Sequence, residues 1–321
     1  MIQTFKLKHG KDFSTQLRKA HQVGNVALKT HTLSTADVKQ FGLPSYIAQG
    51  VLRKYSRNKK LKQVRSVKLT INNPAGFRFE SGVVSVKCLS LALPWYYRNF
   101  ETLNQIELDS QYAYVSVSFP DKPQIVPQSW IGVDRNTTGH VAVAANPSNG
   151  KAWVFGVRIP HVHQKYLALR RELQKKGHYK VVKKIKNRES RIVRDLTHKI
   201  SRSIVELAKS QNAGIKLEWL KGIRQSSRWR SSKLHSWSPY RLEQQLLYKS
   251  KMEGIPITYV EARNTSKDCS RCGCVGIRTG NLFECQNCRR VGNAHVNGAF
   301  NIAQRRSISI PTFKTQRWRA P

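Results

Sequence analysis

The sequence predicts an antiparallel β module followed by an α/β domain, and three observations carry this prediction. Between about Val64 and Phe119, apolar and polar residues alternate, as in "VRSVKLTI" and "YAYVSVSF", with the period of half-buried strands. Beyond residue 127 the strands become short and apolar, and helical segments separate them. A proline-bearing linker, "PDKPQIVPQ", lies between the two patterns. With 321 residues the chain is long enough for two domains.

The first module begins with a strand pattern at residues 2–8 and continues with helical signals over residues 12–58. In that helical segment, apolar side chains recur every four residues, at Ile47, Val51 and Tyr55. Turn residues such as those at 73–76 separate the strands that follow, which favours a small antiparallel barrel or sheet. We therefore interpret residues 1–126 as one β module with a helical insertion.

The second half has the element order of an RNase H-like fold. Three meandering strands, "SWIGVDRN", "GHVAVAANP" and "KAWVFGVRI", precede a basic helical region from about His163 to Gln211. A fourth strand, "AGIKLEWL", is followed by a helix that Pro239 starts and Gly254 stops. A fifth strand, "IPITYVEA", and a final helix from about Val296 complete the order. Three strands, helix, strand, helix, strand, helix is the sequence of elements expected for that fold.

Two acids follow buried strands, where a carboxylate is costly unless it is paired or binds a cation. Asp134 ends the apolar run "WIGVD", and Glu218 ends "IKLE". In an RNase H-like sheet the first and fourth strands are neighbours, so the two carboxylates can converge. Converging carboxylates bind hard cations such as Mg²⁺, which activate water and stabilise the leaving oxygen of a phosphodiester. The alternative is that the two acids pair with the nearby Arg135 and Lys221.

The cysteines predict a structural zinc site. Two CxxC pairs are separated by twelve residues, which is the spacing of a four-thiolate zinc ribbon. The pairs are Cys269 with Cys272 and Cys285 with Cys288. Gly273 and Gly280 would permit the knuckle and hairpin turns. Four thiolates would form a closed, tetrahedral site.

Two other residues, His295 and Cys274, could in principle join that site, and one further cysteine lies far from it in the sequence. His295 lies seven residues past Cys288, and because four thiolates already fill the tetrahedron we do not expect it to bind this zinc. Cys274 could compete with Cys272 as a ligand. Cys88 stands in a β run and is expected in the core.

Two segments combine cations with aromatic residues, as nucleic-acid-binding surfaces do. In "RQSSRWRSSKLHSW", guanidinium groups can neutralise phosphates and indole rings can stack on unpaired bases. An ordinary basic surface loop is the alternative for this segment. In "RKYSRNKK", phosphate contact is expected without any sequence preference. The candidate nucleic-acid-binding residues are Arg53, Lys54, Arg57, Lys59, Lys60, Arg224, Arg228, Trp229 and Arg230.

The net charge favours nucleic acid as the partner. The chain has 57 Lys and Arg against 18 Asp and Glu, a formal charge of +39. A compact fold with this charge repels itself unless a polyanion neutralises it, although a ribosomal-type protein or a solvated basic surface would have a similar composition. The N-terminus has no apolar core, and the longest apolar run, "LSLALPWYY", is too short for a bilayer. We expect a cytoplasmic, nucleoid-associated protein without membrane contact.

Four motifs resemble those of one family. "GVDRN" (132–136), "KLE" (216–218), "RNTSKDCSRCG" (263–273) and "VNGAFNI" (296–302) look like the motifs of the TnpB/OrfB family. Those are insertion-sequence-encoded proteins with a RuvC-like nuclease domain, similar to the compact type V CRISPR effectors. The resemblance covers roughly residues 127–306 with specific motifs and extends weakly to the N-terminal half.

The resemblance implies a domain plan. Its parts are a wedge-type β-barrel (1–10 and 59–126), a helical recognition lobe (11–58), a RuvC-like α/β domain of RNase H-like fold (127–263 and 290–308), an inserted zinc ribbon that binds target nucleic acid (264–289) and a basic tail (309–321). It also implies that a guide RNA and target DNA are the partners. The RuvC-like centre of the family cuts DNA with Mg²⁺, while the zinc ion is structural.

The three acids of that centre would fall on Asp134, Glu218 and the residue two before Asn297, which here is His295. Aspartate offers a hard anionic oxygen, whereas a neutral imidazole offers a softer nitrogen and no charge. Some resolvases of the parent fold resemble this chain in placing a histidine on the matching helix. Those enzymes keep a further aspartate, and residues 289–306 contain none.

Three functions therefore stay open at this point. The first is an RNA-guided DNA endonuclease that uses Asp134, Glu218 and His295, with cleavage weakened or lost. The second is a nuclease-inactive, RNA-guided DNA-binding protein that acts by occupancy, as a repressor does. The third is a structural RNA-binding protein. The sequence does not define the oligomeric state.

Overall fold

The structure is a computed structural model that describes residues 1–58, 61–135, 141–220 and 239–308. The chain divides into two compact units, Met1–Asp121 and Lys122–Pro321, and each is described by itself. In the part of the chain that is described, no helix has the length and apolar character needed to cross a bilayer.

The first unit contains two antiparallel sheets. A four-stranded sheet has the order β1-β7-β6-β2, and a three-stranded sheet has the order β3-β4-β5. The strands are β1 (Ile2–Lys8), β2 (Leu69–Ile71), β3 (Arg78–Glu80), β4 (Val83–Val86), β5 (Leu91–Pro94), β6 (Thr102–Leu108) and β7 (Tyr112–Ser118). The predicted period-two strands are therefore present. Within the described residues their hydrogen bonds form two separate sheets, not one closed barrel.

Two helices pack against these sheets, α1 (Ser14–Thr30) and α2 (Ser45–Tyr55). The three apolar residues predicted to share a helical face, Ile47, Val51 and Tyr55, are all buried in the core of this unit. The expectation for Cys88 is wrong. It lies on a short 3-10 turn and is exposed, because the turn directs its neighbour Leu89 into the core instead.

The second unit is built on a five-stranded sheet of order β10-β9-β8-β11-β12. The strands are β8 (Ser129–Arg135), β9 (Ala142–Asn146), β10 (Lys151–Phe155), β11 (Ala213–Trp219) and β12 (Ile257–Glu261). β8 pairs antiparallel with β9 and parallel with β11, which in turn is parallel to β12. The first and fourth strands are thus neighbours, as predicted, and their carboxyl ends meet at one edge.

The helices of this unit are α3 (Arg158–Lys175), α4 (Tyr179–Ser210), α5 (Pro239–Glu253) and α6 (Ala294–Gln304). The basic helical region predicted as one segment is two helices, which separate at Gly177, whose φ is +71°. α5 starts at Pro239 and stops before Gly254, as predicted. α6 begins two residues before the predicted Val296, because the Asn293 side chain caps it.

A small three-stranded sheet lies between β12 and α6 in the sequence. Its strands are β13 (Ile277–Thr279), β14 (Leu282–Glu284) and β15 (Val291–Asn293), in that order and antiparallel. Gly273 and Gly280 both have positive φ values, +78° and +61°, as the predicted turns require. Phe283 fills the centre of this small sheet and is 1% exposed.

Candidate functional site

Strands β8 and β11 each carry one residue that allows helix α6 to lie close against the sheet. A Cβ atom at Gly132 would lie 2.1 Å from the carbonyl oxygen of Ala299, so only glycine allows the helix to approach this closely. On β11, the buried Lys216 ammonium donates to the carbonyl oxygens of Ala303 (2.9 Å) and Arg305 (2.6 Å) at the end of α6. The first residues of the "GVD" and "KLE" motifs therefore seat the helix over the two strands.

Asp134 and His295 meet as a consequence of this packing. The Asn293 side chain accepts hydrogen bonds from the backbone N–H groups of His295 (2.9 Å) and Val296 (3.2 Å), which starts α6 directly at the sheet edge. The imidazole Nδ1 of His295 then lies 2.9 Å from Oδ2 of Asp134. The two side chains are 4% and 14% exposed. The third position of the predicted centre thus lies in direct contact with the first.

The other imidazole nitrogen of His295 faces the small sheet. Its Nε2 is 3.2 Å from Oδ1 of Asn281 and 3.4 Å from Nη2 of Arg278. When Nδ1–H donates to the Asp134 carboxylate, a neutral imidazole accepts from Arg278 through Nε2, and a protonated one donates to Asn281. Residues of the cysteine-bearing segment therefore help to orient this imidazole.

Glu218 completes the group from the neighbouring strand. The hydroxyl of Thr265 donates a hydrogen bond to its Oε1. Burial, together with the nearby charge of Asp134, raises the pKa of Glu218 from 4.5 to about 7, although Thr265 opposes that rise. Near neutral pH this carboxyl group is therefore partly protonated, and a cation beside it would favour its ionised form.

Arg135 connects three elements at this edge of the sheet. Its guanidinium donates to Oε2 of Glu243 (2.5 Å) and to the backbone carbonyl of Glu218 (2.5 Å). Glu243 also accepts a hydrogen bond of 2.8 Å from the hydroxyl of Tyr259. Arg135 thus ties β8 to β11 and α5. Lys221, the other basic residue considered as a partner for the acids, lies outside the described residues.

The four predicted cysteine ligands come together. Over the residues that are described, they form the group of metal-ligating side chains whose ligand atoms all lie within 4.8 Å of one another. The sulfur atoms of Cys269 and Cys288 are 3.6 Å apart, and those of Cys272 and Cys285 are 3.5 Å apart. A tetrahedron of Zn–S bonds of ~2.3 Å requires sulfur separations of about 3.8 Å. The thiol donor set and its spacing fit zinc. Asp134, Glu218 and His295 do not form a group of this compactness in the described part of the chain.

Two asparagines on α6 connect this helix to the backbone around Cys269, the first of the four cysteines. The Asn297 amide donates to the carbonyl oxygen of Asp268 (2.7 Å) and accepts from the N–H of Ser270 (2.9 Å). The buried Asn301 amide donates to the carbonyl oxygens of Thr265 (2.8 Å) and Asp268 (2.6 Å). The backbone beside the first cysteine is therefore held by the same helix that carries His295.

Sequence reasoning missed the contributions of these supporting residues. Thr265 and the asparagines stand inside the motifs that signalled the family, and the four-residue spacing of Asn297 and Asn301 places them on one helical face. That spacing is the signal that could have identified them as a pair. Asn281 and Arg278 have no such signal, because their contact with His295 arises only from the folded segment.

The predicted nucleic-acid-binding residues are only partly described. Arg53, Lys54 and Arg57 are exposed at the end of α2 or just beyond it, and the Lys54 ammonium lies 2.6 Å from Oε1 of Glu107 in an ion pair. The remaining candidates lie outside the described residues; they are Lys59, Lys60, Arg224, Arg228, Trp229 and Arg230.

Comparisons with known proteins connect this arrangement to one group. Residues 240–302 match the family model described as Cas12f1-like, TNB domain. A TnpB-like protein of Methanocaldococcus jannaschii is 31% identical over 169 residues, which is 49% of this chain and 60% of that protein. A CRISPR-associated endodeoxyribonuclease Cas12f1 of Sulfoacidibacillus thermotolerans is 29% identical, over 59% of this chain and 49% of that protein. The chain thus spans about half the length of the curated relatives it matches.

The fold has a counterpart among solved structures. The cryo-EM structure of the Cas12f1–sgRNA–target DNA complex superposes with a TM-score of 0.64, covering 92% of this chain and 82% of that chain. The sequence identity in this comparison is 15%, so the likeness concerns the fold.

Proposed function

Because this chain is a homologue of the TnpB-like and Cas12f proteins, we propose that it is an RNA-guided DNA-targeting protein of the TnpB type. Its partners are a guide RNA and target DNA, as in the Cas12f1 complex whose fold it shares. The formal charge of +39 supports this, since two polyanionic strands would neutralise it. A protein that works on nucleic acid in this way is expected in the cytoplasm with the nucleoid.

The proposal extends to the fold and its parts. The strand order β10-β9-β8-β11-β12, with acids at the adjacent ends of β8 and β11, supports an RNase H-like, RuvC-like domain (127–263 and 290–308). The four-thiol cluster supports a structural zinc ribbon over 264–289. We assign residues 1–10 and 59–126 to a wedge-type module and 11–58 to a recognition lobe.

The contact between His295 and Asp134 carries the proposal about chemistry, which is that DNA cleavage is weak or absent. Mg²⁺, where it binds in such a centre, supplies Lewis-acid activation of water and stabilises the leaving oxygen. Asp134 and Glu218 are the residues that would hold it. His295 engages Oδ2 of Asp134 at 2.9 Å, so it competes with a cation for one of the two carboxylate oxygens. It also replaces a negative charge with a group that has none when neutral.

The number of acids supports the same conclusion. Asp134 and Glu218 alone hold a divalent cation less tightly than three carboxylates would. The protein is therefore expected to act mainly by occupying its target. An active endonuclease that uses Asp134, Glu218 and His295 is the alternative, and a structural RNA-binding protein is a weaker one.

The experiment is a targeting assay on the protein copurified with its RNA. The complex is incubated with a plasmid library that carries randomised flanking sequence, in the presence of Mg²⁺ or Mn²⁺. We expect specific retention of a subset of plasmids with little linear product. Efficient linearisation that Asp134→Ala abolishes would overturn the weak-cleavage conclusion. The absence of any RNA-dependent retention would overturn guided targeting itself.

A further inference from the structure

The turn after β12 brings the chain back to the carboxylate of Glu218. In the parallel pair of β11 and β12, Val260 is the register partner of Glu218, and β12 ends one residue later, at Glu261. The chain therefore leaves the sheet beside Glu218. A turn over residues 263–267 follows, and the hydroxyl of Thr265 in this turn donates a hydrogen bond to Oε1 of Glu218.

This turn is closed by its own backbone. Asn264 has a φ of +58°, in the left-handed region that asparagine adopts more readily than most residues. Its carbonyl oxygen accepts hydrogen bonds from the backbone N–H groups of Lys267 (3.0 Å) and Asp268 (2.9 Å). Thr265 lies inside the turn and is 4% exposed. Because threonine is branched at Cβ, its buried hydroxyl has few alternative directions.

Helix α6 holds the same turn in place. The buried Asn301 amide donates to the carbonyl oxygen of Thr265 at 2.8 Å. One turn further along the helix, the Arg305 guanidinium donates to the carbonyl oxygen of Glu261 (3.0 Å) and pairs with Oδ2 of Asp268 (2.5 Å). The Thr265 hydroxyl is therefore presented to Glu218 by a segment that is fixed before any ligand binds.

Thr265 also lies close to the second acid of the centre. A Cβ atom built on Gly298 of α6 would lie 3.7 Å from the carbonyl oxygen of Thr265 and 3.6 Å from Oδ2 of Asp134. The same glycine thus borders the turn on one side and the Asp134 carboxylate on the other. Thr265 contacts Glu218 directly and is separated from Asp134 by this one small residue.

The hydroxyl engages one of the two oxygens of Glu218. Its other acceptor is the carbonyl oxygen of Ala262 at 3.2 Å, which is the longer contact. Within the part of the chain that is described, the hydrogen bonds of the Glu218 carboxylate involve Oε1 only. The terminal torsion of a glutamate is broad in itself, so this hydrogen bond selects one orientation of the carboxylate and leaves its second oxygen for another ligand.

We propose that Thr265 is a positioning residue whose hydroxyl orients the Glu218 carboxylate for a divalent cation shared with Asp134. This inference rests on the proposed function, in which these two acids hold Mg²⁺. Thr265 acts through Glu218 and does not itself bind the ion. Hydrogen bonds to carboxylates that bind a metal typically contribute roughly 10- to 100-fold to its affinity, because an oriented ligand loses less freedom when the ion binds.

The test measures binding of Mn²⁺ to the zinc-loaded chain from the electron paramagnetic resonance signal of the free ion, without nucleic acid, because phosphates bind the ion too. Thr265→Val and Thr265→Ala remove the hydroxyl, with and without its isosteric branch, whereas Thr265→Ser keeps it. The matched control is Thr70→Val: Thr70, on β2 of the first unit, is 3% exposed, and its hydroxyl donates to the carbonyl oxygen of Lys68 at 3.3 Å. Each change is made in two parent proteins, the wild type and His295→Asp, whose third carboxylate should tighten the ion.

We expect Thr265→Val and Thr265→Ala to raise the Kd for Mn²⁺ by about tenfold or more, and Thr265→Ser to raise it by less than about threefold. Thr70→Val should leave the Kd unchanged, whatever its effect on the urea midpoint. If Thr265→Val or Thr265→Ala binds Mn²⁺ as tightly as its parent, or if Thr265→Ser weakens binding as much as they do, the role of the hydroxyl is overturned. Absence, in both parents, of any Mn²⁺ binding that Asp134→Ala removes would instead overturn the cation site of the proposed function.

Discussion

Replacing Glu218 with glutamine is expected to stabilise the protein at pH 8 in buffer without added divalent cations. Glu218 is buried beside Asp134, and both conditions penalise its charge, so its pKa is raised to about 7. Glutamine keeps the shape of the side chain and an oxygen that can accept the hydrogen bond from Thr265. It removes the charge that burial and the neighbouring Asp134 penalise.

The magnitude follows from the pKa in the folded and unfolded states. Between pH 4.5 and about 7 the unfolded chain ionises Glu218 while the folded chain keeps it protonated, so the free energy of unfolding falls as the pH rises. A rise from 4.5 to about 7 corresponds to about 3 kcal/mol, at ~1.36 kcal/mol per pH unit. The stabilisation by Glu218→Gln should therefore be below about 1 kcal/mol at pH 5 and about 3 kcal/mol at pH 8.

Urea unfolding of the wild-type and variant proteins at pH 5, 6.5 and 8 measures this difference. Glu261→Gln, an exposed acid at the end of β12, is the matched control and should leave the pH profile unchanged. Equal destabilisation by Glu218→Gln at all three pH values would show that burial and repulsion from Asp134 do not penalise the Glu218 charge.

Three further changes test other parts of the structure. Cys285→Ser should reduce bound zinc from about one per chain to none by elemental analysis, while Cys274→Ser, outside the four-thiol group, should retain it. Burial alone would raise the pKa of Glu253, but Lys209 and Lys122 lower it to about 2; it stabilises the fold above pH 4.5 and loses that effect as the pH falls towards 2. After allowance for solvent screening, Glu253→Gln should therefore reduce by about 1 kcal/mol the free energy of unfolding that the protein loses as the pH falls from 4.5 towards 2. The same loss in the wild-type and variant proteins, measured by urea unfolding, would contradict this. Asn301→Leu leaves two carbonyl groups without their donor and should lower the urea midpoint by the equivalent of about 2 kcal/mol, whereas Gln304→Leu on the exposed side of α6 should not.

The elements that the sequence revealed are those fixed by local pattern. Strands β8 and β11 were predictable because each is a short apolar run, and Asp134 and Glu218 are the last residues but one of these strands. Their adjacency came from the element order and is confirmed by the pairing of β11 with β8. The four-cysteine group was equally predictable, because each CxxC pair places two thiols within three residues of one another.

The remainder depends on contacts between distant parts of the chain. His295 lies 161 residues from Asp134, and only the close packing of α6 on Gly132 brings the two together. Helix α6 starts at Ala294 and not at the predicted Val296, because the Asn293 side chain caps it. A pattern of apolar residues cannot define the start of a helix to within two positions. Cys88 in the first unit is a similar case. The alternation of apolar and polar residues predicted a buried side chain, but a short 3-10 turn leaves it exposed.

We propose that His295 keeps the centre formed with Asp134 and Glu218 in a state that cuts DNA poorly. The most direct measurement is linearisation of a matched target plasmid by the RNA-bound His295→Asp variant, compared with the wild-type protein at the same Mg²⁺ concentration. We expect His295→Asp to increase the rate of cutting at least tenfold, and Asp134→Ala in the same variant to abolish it. A wild-type protein that cuts as fast as His295→Asp, with both bound equally to the target, would contradict it.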